Sequence, residues 1–158
     1  MTLVEHHQAI ASQDDVLLSE ARTQFAALCY RVEANKPRVL LITSRGTRRW
    51  IVPKGWPIRG RTPAQGALQE AYEEAGVIGD AAERPLGLFT YIKQLDDGSR
   101  VPCSALVFPV RVTALRADFP EASQRKRRWF SPRKAARKVD ERALSEMIRD
   151  FNPNRFRL

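Results

Sequence analysis

KGWPIRGRTPAQGALQEAYEEAGV, residues 54–77, is the stretch on which the fold of this chain turns. Its first eight residues hold Gly55, Gly60 and Pro57, which forbid regular structure and make a loop. Thr62 then supplies an N-cap, and Pro63 suits the first helical position, where its missing N–H has no partner to lose. Ala64, Ala67, Leu68, Ala71 and Ala75 recur at helical spacing and give a narrow apolar face. Gly76 is the stop. A helix is therefore expected from Pro63 to about Ala75.

The last two turns of that helix carry Glu70, Glu73 and Glu74. Residues three and four apart share a helix face, so Glu70 lies beside both of the others. Three carboxylates there repel one another and also face the negative end of the helix dipole. Nothing cationic follows within the turn. A hard divalent cation removes the conflict, and carboxylates are natural ligands for Mg²⁺ or Mn²⁺, particularly beside substrate phosphates. The competing reading is a solvated acidic helix end. The setting favours the ion: the cluster is an acidic island in a chain with 27 Lys plus Arg against 18 Asp plus Glu, a net charge of +9.

The segment Gly55–Val77 resembles the Nudix box, G-x5-E-x7-R-E-U-x-E-E-x-G-U with U aliphatic. Gly55, Glu70, Ala71, Glu73, Glu74, Gly76 and Val77 stand at matching positions with unbroken spacing. Two positions depart: Arg61 replaces the first glutamate and Gln69 the arginine. The joint change reads as the compensated loss of one ion pair, since Arg61 facing another arginine would set two cations together.

The resemblance implies an α/β fold, a Nudix-like α/β/α sandwich with a mixed β-sheet, over roughly residues 23–151. It also implies metal-dependent attack of water on a diphosphate bond. Carried over residue by residue, Glu70 and Glu74 are the expected direct ligands and Glu73 a second or water-mediated one. A backbone carbonyl at Lys54 or Gly55 completes the shell. Some members of the family use a further glutamate as base, and Glu121, in the loop before RKRRWF, is the candidate; its competing reading is a solvated loop carboxylate.

Outward from the box, the strand signals fit that architecture. Thr23–Val32, Arg38–Arg45 and Arg49–Pro53 read as strands separated by polar turns. PLGLFTYIKQL and RVPCSALVFPVRV read as two more, joined by the hairpin turn DDGS, with RKRRWF (Arg125–Phe130) as a further short strand. Ser131-Pro132 opens a second helix and residues 140–151 a third. Residues 1–20 are expected as a flexible arm, followed by a single domain over 21–158. Cys29 and Cys103 lie in apolar runs and are expected as buried, reduced thiols. The N-terminus lacks a basic start and apolar stretch, so the expected compartment is the cytoplasm. No apolar run approaches the roughly 20 residues of a membrane helix, so no membrane partner is expected.

A basic surface favours anionic partners. Arg45, Arg48 and Arg49 flank the strand leading into the loop, Lys54 and Arg59 lie within it, and RKRRWF adds Arg125 and Arg127 on one strand side. Arginine forks suit phosphate oxygens. Arg45, Arg49, Lys54, Arg125 and Arg127 are thus the candidate substrate-binding residues. Trp50, Trp56, Phe89 and Tyr91 are aromatic candidates for stacking, against the blander reading of packing. RRWIVPKGWP and RKRRWF look like the diphosphoinositol polyphosphate and dinucleoside polyphosphate branch, which points to hydrolysis of a polyphosphorylated small molecule. Two alternatives stand: a pyrophosphatase of ADP-ribose or another nucleoside diphosphate derivative, and a catalytically weak module binding RNA or polyphosphate through its basic surface.

Overall fold

In the computed structural model of the protein, residues 22–156 are described; the expected arm over residues 1–20 lies outside them. The strands are β1 (Arg22–Glu33), β2 (Lys36–Thr43), β3 (Trp50–Ile51), β4 (Lys54–Gly55), β5 (Val77–Ala81), β6 (Gly87–Gln94), β7 (Arg100–Leu115) and β8 (Arg127–Phe130). The helices are α1 (Pro63–Ala75), α2 (Pro132–Lys138) and α3 (Arg142–Arg149).

All eight strands join one sheet, whose path runs β3-β2-β1-β7-β5. β1 and β7 are parallel, with Arg22 opposite Cys103 and Tyr30 opposite Arg111; every other pairing is antiparallel. The sheet is therefore mixed. The long β7 carries β6 along its first half and β5 along its second.

Strand residues alternate between two cores, as a pleat requires. On β1, Ala26, Leu28 and Tyr30 face the layer of α2 and α3, where Ala135, Leu144, Ile148 and Phe151 meet them. Ala27 and Cys29 face α1, whose Ala64, Ala67, Ala71 and Ala75 close the other side. β2 repeats the division, with Val39 and Leu41 on the first face and Leu40 and Ile42 on the second. Those alanines let the α1 backbone approach the sheet closely, and Gly66 does the same against Phe25. The result is the α/β/α sandwich with a mixed sheet that the sequence led us to expect. Both thiols are free and buried, as their apolar surroundings implied.

Caps and turns follow the local chemistry. Thr62 and Gln65 form a reciprocal capping box at the start of α1, and Gly76 ends the helix at φ 69°. Ser131 accepts a hydrogen bond from the Lys134 amide and opens α2. The β1–β2 hairpin turns through Ala34 and Asn35, both with positive φ (48° and 63°), the twist that two-residue hairpins favour.

The elements differ from the sequence reading in several places. The strand expected over Arg49–Pro53 is confined to Trp50–Ile51, and the segment expected as loop from Lys54 onward opens with the two-residue strand β4, paired with β1. RKRRWF pairs with β2 only from Arg127 onward, so Arg125 and Lys126 precede the strand. The third helix spans Arg142–Arg149, shorter than the 140–151 expected. β5 follows directly on α1 and was not foreseen. Gly79 lies at a bulge where an added Cβ would fall 2.0 Å from the Arg111 carbonyl oxygen. Only glycine permits that approach.

Candidate active site

The loop entering α1, the acidic face of that helix and the segment before β8 enclose a groove of about 1400 Å³. Glu70, Glu73, Glu74, Gly55 and Glu121 all line it, so the structure brings the expected acidic residues together.

Glu74 is the most deeply set, with 4% of its surface exposed. It accepts a hydrogen bond from the Lys54 backbone N–H at 3.4 Å and lies 3.6 Å from the Arg125 guanidinium. Glu73 accepts from Gln69 Nε2 at 3.1 Å. Glu70 packs against Gly55: a Cβ there would sit 2.2 Å from its carboxylate carbon. Glu121 is drawn in by its own backbone, whose N–H donates to the Glu73 carbonyl at 3.0 Å.

Crowding and burial set the charge states. Burial first, then Glu73 and Glu121, push the Glu70 carboxyl up to about 7. Burial also raises Glu74, against the opposing pull of Arg125 and Lys54. Burial brings the Lys54 ammonium down to about 8, with Glu74 resisting the fall. A bound cation would favour ionised carboxylates and relieve this strain.

Among the described residues no three acidic, cysteine or histidine side chains converge as a ready-made cage. The donor set still fits a hard divalent ion. Mg²⁺ keeps several waters and takes one or two carboxylates plus substrate phosphates, so a complete protein cage is not expected. Gly55 admits the Glu70 carboxylate itself: an added Cβ would lie 2.2 Å from the carboxylate carbon, so the absence of a side chain lets this donor lie against the loop backbone.

The candidate basic residues divide. Arg45 and Arg49 lie on the exposed rim. Arg45 donates to Gln124 Oε1 at 3.2 Å, and Arg49 to Asp140 at 2.9 Å. Lys54 reaches into the groove with Nζ 5.0 Å above the Tyr91 ring. Arg125 lines the groove but spends its guanidinium on carboxylates. Arg127 does not join them. Its Nη1 donates to the Ala75 and Arg116 carbonyls at 2.7 and 2.8 Å, and its guanidinium lies over Phe119. The cation missing from the end of α1 in sequence thus arrives from β8, where Arg127 caps the last helix carbonyl, that of Ala75.

The aromatic candidates separate in the same way. Phe89 is core and Trp50 packs edge-on against Phe130, whereas Trp56 and Tyr91 line the groove. Sequence reasoning missed Gln24, a buried polar residue on β1 that accepts a hydrogen bond from the Tyr91 hydroxyl. A polar residue within an apolar strand was the available signal.

Residues 22–151 match the family profile described as NUDIX domain. Nudix hydrolase 12, mitochondrial, of Arabidopsis thaliana is 32% identical over 77% of this chain and 63% of its own length. Diphosphoinositol polyphosphate phosphohydrolase 3-alpha of Mus musculus is 38% identical over 66% of this chain and 61% of its own length. The chain thus spans a little under two thirds of these curated relatives. Among solved structures, a C. elegans Ap4A hydrolase superposes with a TM-score of 0.58 at 19% identity, covering 82% of this chain and 94% of that one. The NUDIX domain of Shewanella oneidensis NrtR, complexed with ADP ribose, gives 0.60 at 16%, covering 95% and 98%. At such identities these likenesses speak for the fold alone.

Proposed function

The chain belongs to the NUDIX domain family, and from that premise we propose that it is a metal-dependent hydrolase of phosphoanhydride bonds in a polyphosphorylated small molecule, such as a dinucleoside polyphosphate or a diphosphoinositol polyphosphate. The observation that carries the reading is the packing of Glu70 on bare Gly55 beside Glu73 and Glu74, in a groove rimmed by cations.

Glu70 and Glu74 would hold Mg²⁺ or Mn²⁺ directly, with Glu73 as a further ligand and the Gly55 backbone beside them. When bound, the ion supplies Lewis acidity toward phosphoryl oxygens and offsets charge on the leaving phosphate. The chain's own residues do the rest. Arg45 and Arg49 are exposed enough to exchange their surface ion pairs for phosphate oxygens, and Lys54 meets the phosphate chain from the groove floor. Glu121 lies close enough to the acidic cluster to take a proton from the attacking water. That water attacks phosphorus directly, with no covalent enzyme intermediate.

A second reading, an ADP-ribose or related nucleoside diphosphate substrate, draws on Trp56 and Tyr91, whose rings line the groove and suit a base. One panel tests both: release of phosphate or nucleotide from diadenosine polyphosphates, an inositol pyrophosphate, ADP-ribose and nucleoside triphosphates, with Mg²⁺, Mn²⁺ or chelator. Metal-dependent cleavage of the first two classes is expected. Preferential cleavage of ADP-ribose moves the assignment to the second reading. No turnover, together with metal-independent RNA binding, overturns the hydrolase.

A further inference from the structure

Arg125 stands apart from the other basic residues of the groove. Its side chain is only 8% exposed, whereas those of Arg45 and Arg49 are 64% and 43% exposed. Each of its nitrogens faces a protein oxygen. Nε donates to Glu121 Oε1 at 3.1 Å, and Nη2 lies 3.0 Å from the same atom. Nη2 also lies 3.6 Å from Glu74 Oε1. Nη1 donates to the Thr43 carbonyl at 3.1 Å.

The backbone around this fork is pinned at both ends. The Glu121 N–H is tied to the Glu73 carbonyl on α1 at 3.0 Å. The Lys126 N–H donates to Thr43 Oγ1, and the Thr43 N–H to the Lys126 carbonyl, both at 2.9 Å. A guanidinium withdrawn from water and fixed to two carboxylates and a strand carbonyl is poorly placed to recruit a mobile anion. It is well placed to hold those carboxylates still. Gln69 reaches Glu73, at 3.1 Å; Arg125 reaches the carboxylates of Glu74 and Glu121.

We propose that Arg125 is a positioning residue: its fork bridges Glu74 on α1 to Glu121 in the loop before β8 and fixes their relative placement for the reaction. This rests on the hydrolase reading of the groove. It also replaces the substrate-contact role expected for Arg125 from sequence.

The test compares wild type, Arg125→Met, Arg125→Lys, Glu121→Gln and the Arg125→Met/Glu121→Gln double variant, as full chains. Two readouts are taken: steady-state turnover with Mn²⁺, and Mn²⁺ affinity by calorimetry without substrate. For Arg125→Met, kcat should fall about 10–100-fold with KM little changed. Its Mn²⁺ affinity should fall about tenfold. The sign is diagnostic, because deleting a positive charge would by Coulomb attraction alone tighten Mn²⁺ binding. Arg125→Lys should recover only part of the loss, since one ammonium cannot reproduce the fork. Glu121→Gln should cost less on top of Arg125→Met than it costs in wild type, because the two side chains act as one unit.

A raised KM with kcat kept, and Mn²⁺ affinity equal or higher, would make Arg125 a substrate contact and overturn the proposal. If wild type shows no turnover, the hydrolase reading fails by itself. The calorimetric arm still decides, weaker Mn²⁺ binding supporting the bridge and equal or tighter binding removing it. If Arg125→Met melts below the assay temperature, Arg125→Lys is judged by the same criteria.

Discussion

Gly55→Ala separates stability from activity more cleanly than any other single change in this groove. A Cβ on Gly55 falls 2.2 Å from the Glu70 carboxylate carbon and 2.3 and 2.7 Å from its oxygens. Ordinary contact begins near 3.4 Å, so the carboxylate must retreat by about 1.2 Å. The retreat is energetically small. Glu70 is half-buried, its carboxylate ends a flexible chain, and an off-rotamer adjustment costs on the order of 1 kcal/mol. Gly55 has no positive φ, so alanine fits its backbone and returns about 0.4–1 kcal/mol by restricting the unfolded chain. Stability should therefore stay within about 1 kcal/mol of wild type. Turnover should not: a ligand displaced by ~1 Å is expected to cost about 100-fold. The assay is substrate cleavage with saturating Mn²⁺, beside a thermal melt of the same preparation. A folded Gly55→Ala protein with wild-type kcat would refute the assignment of Glu70 to the reacting centre.

Three further outcomes are expected. Glu74→Gln should abolish turnover yet leave the metal-free protein at least as stable, because the amide still accepts from the Lys54 N–H without a buried charge; substantial activity in a folded variant would remove Glu74 from the metal site. In chelator, the melting temperature should fall as pH rises from about 5 to 8, since Glu70 and Glu74 are raised above the unfolded carboxylate value near 4.5 and their contribution is lost as pH climbs through about 7. Mn²⁺ should reverse that fall at pH 8, and a melting temperature rising across the window in chelator would contradict the burial argument. Arg127→Met removes charge-assisted hydrogen bonds to the Ala75 and Arg116 carbonyls, so a loss of about 2–3 kcal/mol is expected, with kcat of the folded protein unchanged; the check is a denaturant titration beside the turnover assay.

What the sequence made legible was what local chemistry decides. The capping Thr62, the alanine face and the stopping Gly76 fix α1, and helical spacing alone puts Glu70 beside Glu73 and Glu74. β1 and β2 are likewise legible as apolar runs, though which residue faces which core is not, since both runs are buried on both sides. What stayed hidden depends on which distant segment arrives. Arg125 and Arg127 share an expected strand face, yet the strand begins only at Arg127. One guanidinium then meets Glu121 and Glu74, and the other meets the end of α1. Arg49 looks free in sequence but finds Asp140 at 2.9 Å. β5 stayed hidden because it is short and its Gly79 is required by a carbonyl from β7, a partner that local pattern does not reveal.

The parallel pairing of β1 with β7 also orders events as the chain folds. Arg22 waits for Cys103, and Tyr30 for Arg111. The β1–β2 hairpin needs only its own turn and can close in microseconds. Until β7 arrives, however, the other edge of β1 stays open along the apolar run Ala26–Tyr30. Long-range pairing of this kind is slow because loop closure comes before its reward. The same junction that joins the two halves of the sheet should therefore limit the folding rate, and it is where a crowded, half-folded chain is most exposed to joining its neighbour edge to edge.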